Sequence, residues 1–440
     1  MGKGTFSGGI HPWDGKELSK DKPVVQLNPK SEMVFPMAQH IGAPAKPVVA
    51  AGDTVLMGQC IGEANGYVSA NIISSVSGKV KAIEPRVTAS GAKVLSVVIE
   101  NDGEYNAVEG FGEKRNYKAL KPKEIIDIVK AAGIVGMGGA GFPNHVKLAP
   151  KNPNDIEYVL VNAAECEPYL TSDYRRMLDE PEKLVEGLRI VLSMFPKAQG
   201  IICIEDNKAE AAAGINELIK NDTNITVKML NAKYPQGAER NLVYAAVGRL
   251  THFSVLPMDV GCIVQNVETI CSIYRAVAES TPLVRRMVTV SGDAVKEPRN
   301  FDVPIGTNYA ELIEAAGGFT CEPKKVISGG PMMGTALYTL DVPVQKTSSA
   351  IIAFEEDEVE EYESSPCIRC GRCVEACPSH LVPTMMEKTA RMFDNEAFEG
   401  LNGLECYECG SCTYVCPAGR RLTQSFKQTR RAVLEERKKK

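Results

Sequence analysis

The sequence predicts a multidomain chain of α/β and α+β units rather than one core. Three observations predict it. The chain has 440 residues, three or four times a usual domain. Its patterning changes along its length, from short glycine-punctuated runs to alternating helices and strands. Its cysteines are unevenly spread, with 8 of 14 in the last 74 residues.

Composition sets outer bounds. Hydrophobic residues at 44% and charged residues at 24% are those of an ordinary globular chain able to bury sizeable cores. A net charge of −5 argues against a nucleic-acid partner held by the overall field. No apolar stretch reaches the ~18 residues of a membrane-spanning helix. The opening MGKGTFSGGIHPWDGKELSKDK has no apolar core of signal-peptide type, so the chain is read as unexported. Clustered cysteines in a reducing compartment point to metal or redox centres. The six scattered ones, Cys60, Cys166, Cys203, Cys262, Cys271 and Cys321, are expected to be small buried residues.

Residues 1–115 form the first unit. Val80–Ile83 and Val94–Ile99 read as strands between closely spaced glycines, which predicts a small all-β sandwich or barrel. The phrase Gly52 to Glu84 resembles a lipoyl/biotinyl-type barrel-sandwich hybrid. In swinging-arm domains of that shape a lysine at the hairpin tip carries the cofactor. The tip region here is expected at Ala70-Asn71-Ile72-Ile73, without a lysine, so the unit is read as a scaffold.

Residues 116–282 alternate. Pro122 opens a helix with Ile125, Ile126, Ile128 and Val129, and Gly133 stops it. Tyr158–Asn162 reads as a buried strand, and Pro181 opens a helix with Leu184, Val185, Leu188, Val191 and Leu192 on one face. A strand (201–204), helix (208–220), strand (225–230) and helix (238–249) follow. The alternation predicts a largely parallel sheet. Residues 283–352 read as a small α+β unit, with strands at Val288–Ser291 and Lys325–Ser328 and a helix at 309–316. Seven acids in the nine residues 355–363, EEDEVEEYE, read as a solvated linker into a final unit, residues 353–440.

That unit carries the strongest motif. Cys367, Cys370, Cys373 and Cys377-Pro378 have the spacing C-x2-C-x2-C-x3-C-P, and Cys406, Cys409, Cys412 and Cys416-Pro417 repeat it 39 residues later. Three cysteines at this spacing wrap one iron–sulfur cube, and the fourth ligates the other cube. The sets are therefore Cys367, Cys370, Cys373 and Cys416 for one [4Fe–4S] cluster, and Cys377, Cys406, Cys409 and Cys412 for the second. Zinc also takes cysteine pairs, but it does not account for the third evenly spaced cysteine or the trailing C-P.

A glycine-rich run, Gly136-Met-Gly138-Gly139-Ala140-Gly141-Phe142-Pro143, formally contains G-x-G-x-x-G. A dinucleotide fingerprint needs a strand before it, and here a helix comes first. Its glycines can still present backbone N–H groups to an anion, with Lys147 close by in sequence. Asn162-Ala-Ala-Glu165-Cys-Glu167-Pro168 follows the first strand, where open sheets bind ligands. Tyr234-Pro-Gln-Gly237-Ala-Glu239-Arg240 and Gln265-Asn266-Val-Glu268-Thr269 open helices. Polar junctions of this kind suit a flavin phosphate and ring, and each also suits a helix cap.

These same residues carry a resemblance. GMGGAGFPNHVK, VNAAECEP, YPQGAER and QNVET resemble the FMN-binding, NADH-oxidising subunit of respiratory complex I, over roughly residues 120–275. TFSGGIHP, the N-terminal scaffold, the stretch GDAVKEPRNFDVPIGTNYAELIEAAGGF and the two-cluster module resemble the RnfC family, a component of the Rnf electron transport complex; the GDAV stretch is similar to a soluble-ligand-binding β-grasp module. The resemblance implies four units: barrel-sandwich-like, FMN-binding α/β, β-grasp and two-cluster ferredoxin-like helical. It implies that Gly136, Gly138, Gly139 and Gly141 pack against FMN, with Phe142 beside the nucleotide and Lys147 near the phosphate. Asn162, Glu165, Glu167, Gly237, Glu239, Asn266 and Thr269 are implied around the flavin or nicotinamide. The chain departs from complex I at Met137, Ala164 and Ala238, where that family has Arg, an acid and Glu.

The implied activity is that of an NAD(H)-dependent oxidoreductase subunit. It belongs to a membrane complex that couples electron flow to Na⁺ or H⁺ transport and lies peripherally on the cytoplasmic side. Its expected partners are the other Rnf-type subunits, NADH and, indirectly, ferredoxin. Hydride transfer to a flavin needs no side-chain acid or base, so no catalytic residue is named. Two other readings fit the motifs: a soluble flavin/iron–sulfur reductase such as a microcompartment cobalamin reductase, and a docking subunit that has lost its ligand. The basic tail from Arg430 to Lys440 is expected to be a solvated helix end.

Overall fold

The structure is a computed structural model that describes residues 3–29 and 32–439. The barrel-like unit is two small antiparallel sheets. Strands Glu32–Pro36, Lys93–Asn101, Gly78–Val87 and Thr54–Val55 form one, and Lys46–Pro47, Cys60–Glu63 and Ile72–Ile73 the other. Met33, Phe35, Ile61, Ile72, Val80, Val97 and Ile99 fill the space between them. Ile72 and Ile73 are thus a buried strand, not an exposed tip. Two adjacent β-branched apolar residues are driven inside, where the expected tip would have left them in water.

The segment ahead of the barrel belongs elsewhere. Gly4 bridges to Leu230, Ile10 pairs with Tyr234, and Lys16 is buried. Val25–Gln26 adds an edge strand to the β-grasp sheet, beside Arg299–Pro304. Residues 4–26 therefore strap three units together before the barrel begins.

The α/β unit holds β1 (Tyr158–Ala163), β2 (Gln199–Glu205), β3 (Ile225–Leu230) and β4 (Cys262–Asn266) in the order β3-β2-β1-β4, all parallel. Its helices are α1 (Pro122–Ala131), α2 (Asn144–Lys147), α3 (Ser172–Asp179), α4 (Pro181–Leu192), α5 (Ala209–Leu218), α6 (Glu239–Val247) and α7 (Val267–Ala278). Strand order reverses between β1 and β4, where the crevice of an open sheet opens at the carboxyl ends. Both faces are covered, as a parallel sheet requires. Val159, Val161, Ile202 and Ile263 pack towards α4 and α7 in one core, while Leu160, Cys203 and Val264 meet α6 in another.

The β-grasp unit runs Arg285–Ser291, Arg299–Pro304, Lys325–Ser328, Thr335–Ala336 and Ala350–Phe354, with a helix at Tyr309–Ala315. Asp357 of the acidic block is buried against Lys325, and Glu358–Glu361 is a helical turn. That part of the expected linker is therefore an attachment point.

In the C-terminal unit the 39-residue repeat is a repeat of backbone. Arg369 and Glu408 share φ near +58°, and Gly371 and Gly410 share φ near +80° (59 and 58, 79 and 82). Each loop then enters a one-turn helix, Arg372–Glu375 or Ser411–Tyr414. Helices Pro383–Arg391, Asn395–Gly400 and Leu422–Lys439 close over Met386, Phe398 and Phe426. The basic tail is the end of the last helix. Its Arg430 is drawn in to Glu408, Arg431 is exposed, and Lys440 lies outside the described residues. Of the scattered cysteines, Cys203, Cys262 and Cys271 are buried, Cys60 and Cys166 are half-buried, and Cys321 is exposed in a polar loop.

Candidate redox site

The eight cysteines part into two cavities. Cys367, Cys370, Cys373 and Cys416 line one of ≈ 400 Å³, and Cys377, Cys406, Cys409 and Cys412 line another of ≈ 350 Å³. Each cavity takes its fourth cysteine from the other run. Among the described residues no three His, Cys, Asp or Glu side chains converge on a single metal ion. The thiols instead surround a space, as ligands of a polynuclear cube must. Backbone N–H groups of Leu381 and Glu408 point at the sulfurs of Cys377 and Cys406 (both 3.3 Å), and Thr423 Oγ1 lies 3.8 Å from Cys412 Sγ. At the first cavity the Arg369 N–H reaches Cys367 Sγ at 3.4 Å, and Cys370 and Ile368 (66% exposed) face solvent.

The second cavity abuts the α/β unit. Tyr234, 1% exposed, donates its hydroxyl to the Cys409 carbonyl at 2.7 Å. It stands three residues before Gly237, whose N–H reaches Cys166 Sγ at 3.3 Å. The strap contributes as well: Gly9 N–H donates to Ala376 O at 3.0 Å. Gly8, at φ +79°, leaves no room for a Cβ against the Cys377 carbonyl, so only glycine permits this approach.

The crevice between β1 and β4 collects the other predicted residues. Asn162 and Asn266 are register partners at the strand ends. Asn162 Nδ2 donates to Gly237 O at 2.8 Å, which holds the start of α6 over the crevice. Asn266 caps α7 by accepting from the N–H groups of Glu268 and Thr269, and donates to Asp173 Oδ2 at 2.6 Å. Thr269 Oγ1 accepts the Met137 N–H at 2.9 Å. The glycine-rich loop thus lies over β4, with Gly138 against Asn266.

That loop is pinned at its base and open at its crown. Gly136 N–H donates to Phe142 O (2.8 Å) and Gly141 N–H to Gly136 O (3.1 Å). Gly138, Gly139 and Ala140 are exposed. No group among the described residues takes their N–H groups. Gly139 sits at φ +118° with open space where a side chain would stand. Three successive free N–H groups in a glycine turn make an anion-binding concavity. The donor set fits a phosphate group at the mouth of the crevice between β1 and β4.

Other predicted residues build walls. Lys147 Nζ is engaged by Glu239 (3.1 Å) and the Val264 carbonyl (2.9 Å). Phe142 is half-buried at the foot of the loop. Glu165 caps α3 through the N–H groups of Asp173 (2.6 Å) and Tyr174 (3.3 Å). Burial pushes its carboxyl up, against the pull of Lys16 and Lys208. Burial, with Glu165 adding to it, pushes the Asp173 carboxyl up as well. Glu167 turns to the β-grasp unit, accepting from Met332 and Met333 N–H (3.1 and 3.0 Å); burial raises it to about 7.

Sequence reasoning missed the supports. Lys16, from the strap, donates to the carbonyls of Glu165, Glu167 and Leu170 at 3.0, 2.9 and 2.5 Å, and Lys208 to that of Ala164 at 2.6 Å. Arg176 and Arg275 clasp the buried Glu268 at 2.6 and 3.0 Å. It missed β4 too, although the apolar run Cys262-Ile-Val after Gly261 carries that strand's signal.

Comparison with known proteins gives each unit a counterpart. Family models match as the RnfC barrel sandwich hybrid domain (residues 4–104), the Nuo51 FMN-binding domain (129–275), the SLBB domain (287–336) and the 4Fe-4S dicluster domain (360–420). The chain is 43% identical over 437 residues to the C subunit of the Na(+)-translocating ferredoxin:NAD(+) oxidoreductase complex of Acetobacterium woodii, covering 99% of this chain and 98% of that one. It is 46% identical over 383 residues to the proton-translocating counterpart of Clostridium ljungdahlii, covering 87% and 83%. Among solved structures, a chain of NAD+-reducing [NiFe]-hydrogenase in the air-oxidized state shares the fold, with TM-score 0.51 and 20% identity over 73% of this chain and 64% of that one.

Proposed function

The chain belongs to the RnfC family, the C subunits of ion-translocating ferredoxin:NAD(+) oxidoreductase complexes, and from that premise we infer that it is where such a complex exchanges electrons with NAD(H). Bound FMN would take a hydride as one two-electron unit, and two [4Fe–4S] clusters would carry the electrons singly. The residues present would hold these groups as follows. The free N–H groups of Gly138, Gly139 and Ala140 receive the flavin phosphate. Asn162, Gly237, Glu239, Asn266 and Thr269 shape the crevice beneath, and the Phe142 ring closes its foot. Each cysteine set takes one cube. None of these side chains has to move a proton for hydride transfer.

The single observation that carries this reading is the joint between crevice and cavities. Tyr234 ties the α6 entry to Cys409 of the second set, while the first set has Cys370 and Ile368 at the surface. The chain therefore offers the more buried cysteine set to the crevice and the set with an exposed cysteine to a partner. Ferredoxin is the distal redox partner, reached through other subunits. No helix among the described residues is long and apolar enough to cross a membrane, and the reading places the chain peripherally on the cytoplasmic face of its complex. The test is the cofactor content of the anaerobically purified chain. Iron and sulfide for two cubes with one FMN support the reading; intact cubes with no flavin uptake contradict its NAD(H) half.

A further inference from the structure

The glycine-rich loop is held from outside its own unit. Arg286 lies on the β-grasp strand Arg285–Ser291 and is 2% exposed. Its guanidinium donates to the Ser348 carbonyl and, across the unit boundary, to the Met137 carbonyl, both at 2.8 Å. The N–H of that same residue is taken by Thr269 Oγ1 at 2.9 Å. Met137 is therefore gripped at both its backbone polar atoms, one by α7 and one by the β-grasp unit, and its side chain is 1% exposed. The next three residues are the exposed crown with the free N–H groups.

Resting on the reading of this crevice as the FMN site, we propose that Arg286 is a positioning residue for flavin binding, and that the β-grasp unit acts on the redox site through it. A buried guanidinium is a rigid fork with fixed donor directions. Set between two carbonyls, it fixes where the peptide after Met137 points, and so where the crown's N–H groups point. Donors already aligned spare the ordering that a free glycine loop must undergo on binding. No carboxylate takes a hydrogen bond from Arg286 among the described residues; its facing charges are Glu268, Asp173 and Arg176. Its hydrogen bonds are thus spent on backbone.

The test uses the full chain with both clusters in place and FMN as the probe, titrated by fluorescence quenching. Arg286→Gln is expected to weaken FMN about tenfold or more, on the scale of one charge-assisted buried hydrogen bond. Arg286→Lys, which keeps the charge but on a single donor nitrogen, is expected to fall between. Arg285→Gln, next in sequence but paired with Asp302 on the outer side, should leave affinity unchanged. Thr269→Val should weaken FMN too, and the double variant Arg286→Gln/Thr269→Val should lose less than the product of the single losses, because both act on one residue. A structural defect alone would not produce that coupling. FMN affinity of Arg286→Gln equal to that of Arg285→Gln, or losses that simply multiply, overturns the proposal and leaves the FMN site standing. Failure of the unaltered chain to bind FMN overturns both. Should Arg286→Gln not fold, Arg286→Lys and Thr269→Val give the same comparison.

Discussion

Lys16 offers the sharpest test of how the crevice is supported. It is 7% exposed and donates to three carbonyls of the turn that follows β1, those of Glu165, Glu167 and Leu170. Lys16→Met keeps the length of the stem and removes only the ammonium. Three acceptors, that of Leu170 buried and those of Glu165 and Glu167 part-buried, then lose a donor, at about 1–3 kcal/mol each if nothing replaces it. Against that stands the cost of burying the ammonium, which already holds the Lys16 pKa below its ordinary value. Water reaching the half-exposed turn offsets more. A net local loss of about 2–4 kcal/mol remains. Hydrogen exchange reads it locally, because a four-unit chain does not melt in one step. Protection across residues 164–171 should fall about thirty- to a thousandfold, with the clusters intact. The Glu165 carboxyl should rise further, having lost a facing cation. Unchanged exchange in this segment would refute the reasoning, since the turn would then be held by Lys208 and its own backbone.

Other perturbations reach the clusters and the β-grasp contact. Serine at Cys416 should remove the same paramagnetic signal as serine at Cys367, and serine at Cys377 the same as at Cys406, each with loss of about half the iron; pairing within each sequence run instead would reverse the assignment. Thr423→Val removes a hydroxyl near Cys412 Sγ and should lower the midpoint potential of the second cluster by about 20–60 mV while leaving the first unmoved. Glu167 has a folded pKa raised by burial from 4.5 to about 7, so the folded state binds more protons than the unfolded one between those values. Its contribution to stability is present below that window and is lost as pH rises through it. Glu167→Gln should flatten that fall, measured by melts from about pH 4.5 to 8; an unchanged profile would show that the carboxyl is ionised throughout.

Much of this was legible because spacing is itself geometry. The two cysteine runs specify the loop that wraps a cube, and the shared left-handed residues at Arg369 and Glu408 show the same turn built twice. Tyr158–Ala163 and Gln199–Glu205 were readable as strands because buried parallel strands are continuous apolar runs. The supports were not. Lys16, Lys208 and Arg286 act on backbone carbonyls far away in sequence, and a lysine bound for the interior has no local mark to separate it from one bound for water. Ile72–Ile73 and Asp357 were misplaced for a related reason, since tertiary packing decided their burial. Most of the predicted polar residues converge on one crevice, while Glu165 caps α3 and Glu167 turns to the β-grasp unit, and Asn266, Thr269 and Lys147 are occupied with protein partners. They shape the site, and the open donors are backbone N–H groups, which no residue identity reveals.

A two-electron crevice and a one-electron path are joined here in one chain. An anaerobic NADH titration of the purified protein, followed by visible absorbance and EPR, tests that junction most directly. Bleaching of the flavin band together with reduced-cluster signals is the predicted result. Clusters that respond to dithionite while NADH leaves both absorbance and EPR unchanged would contradict it, and would leave this chain a conduit for electrons alone.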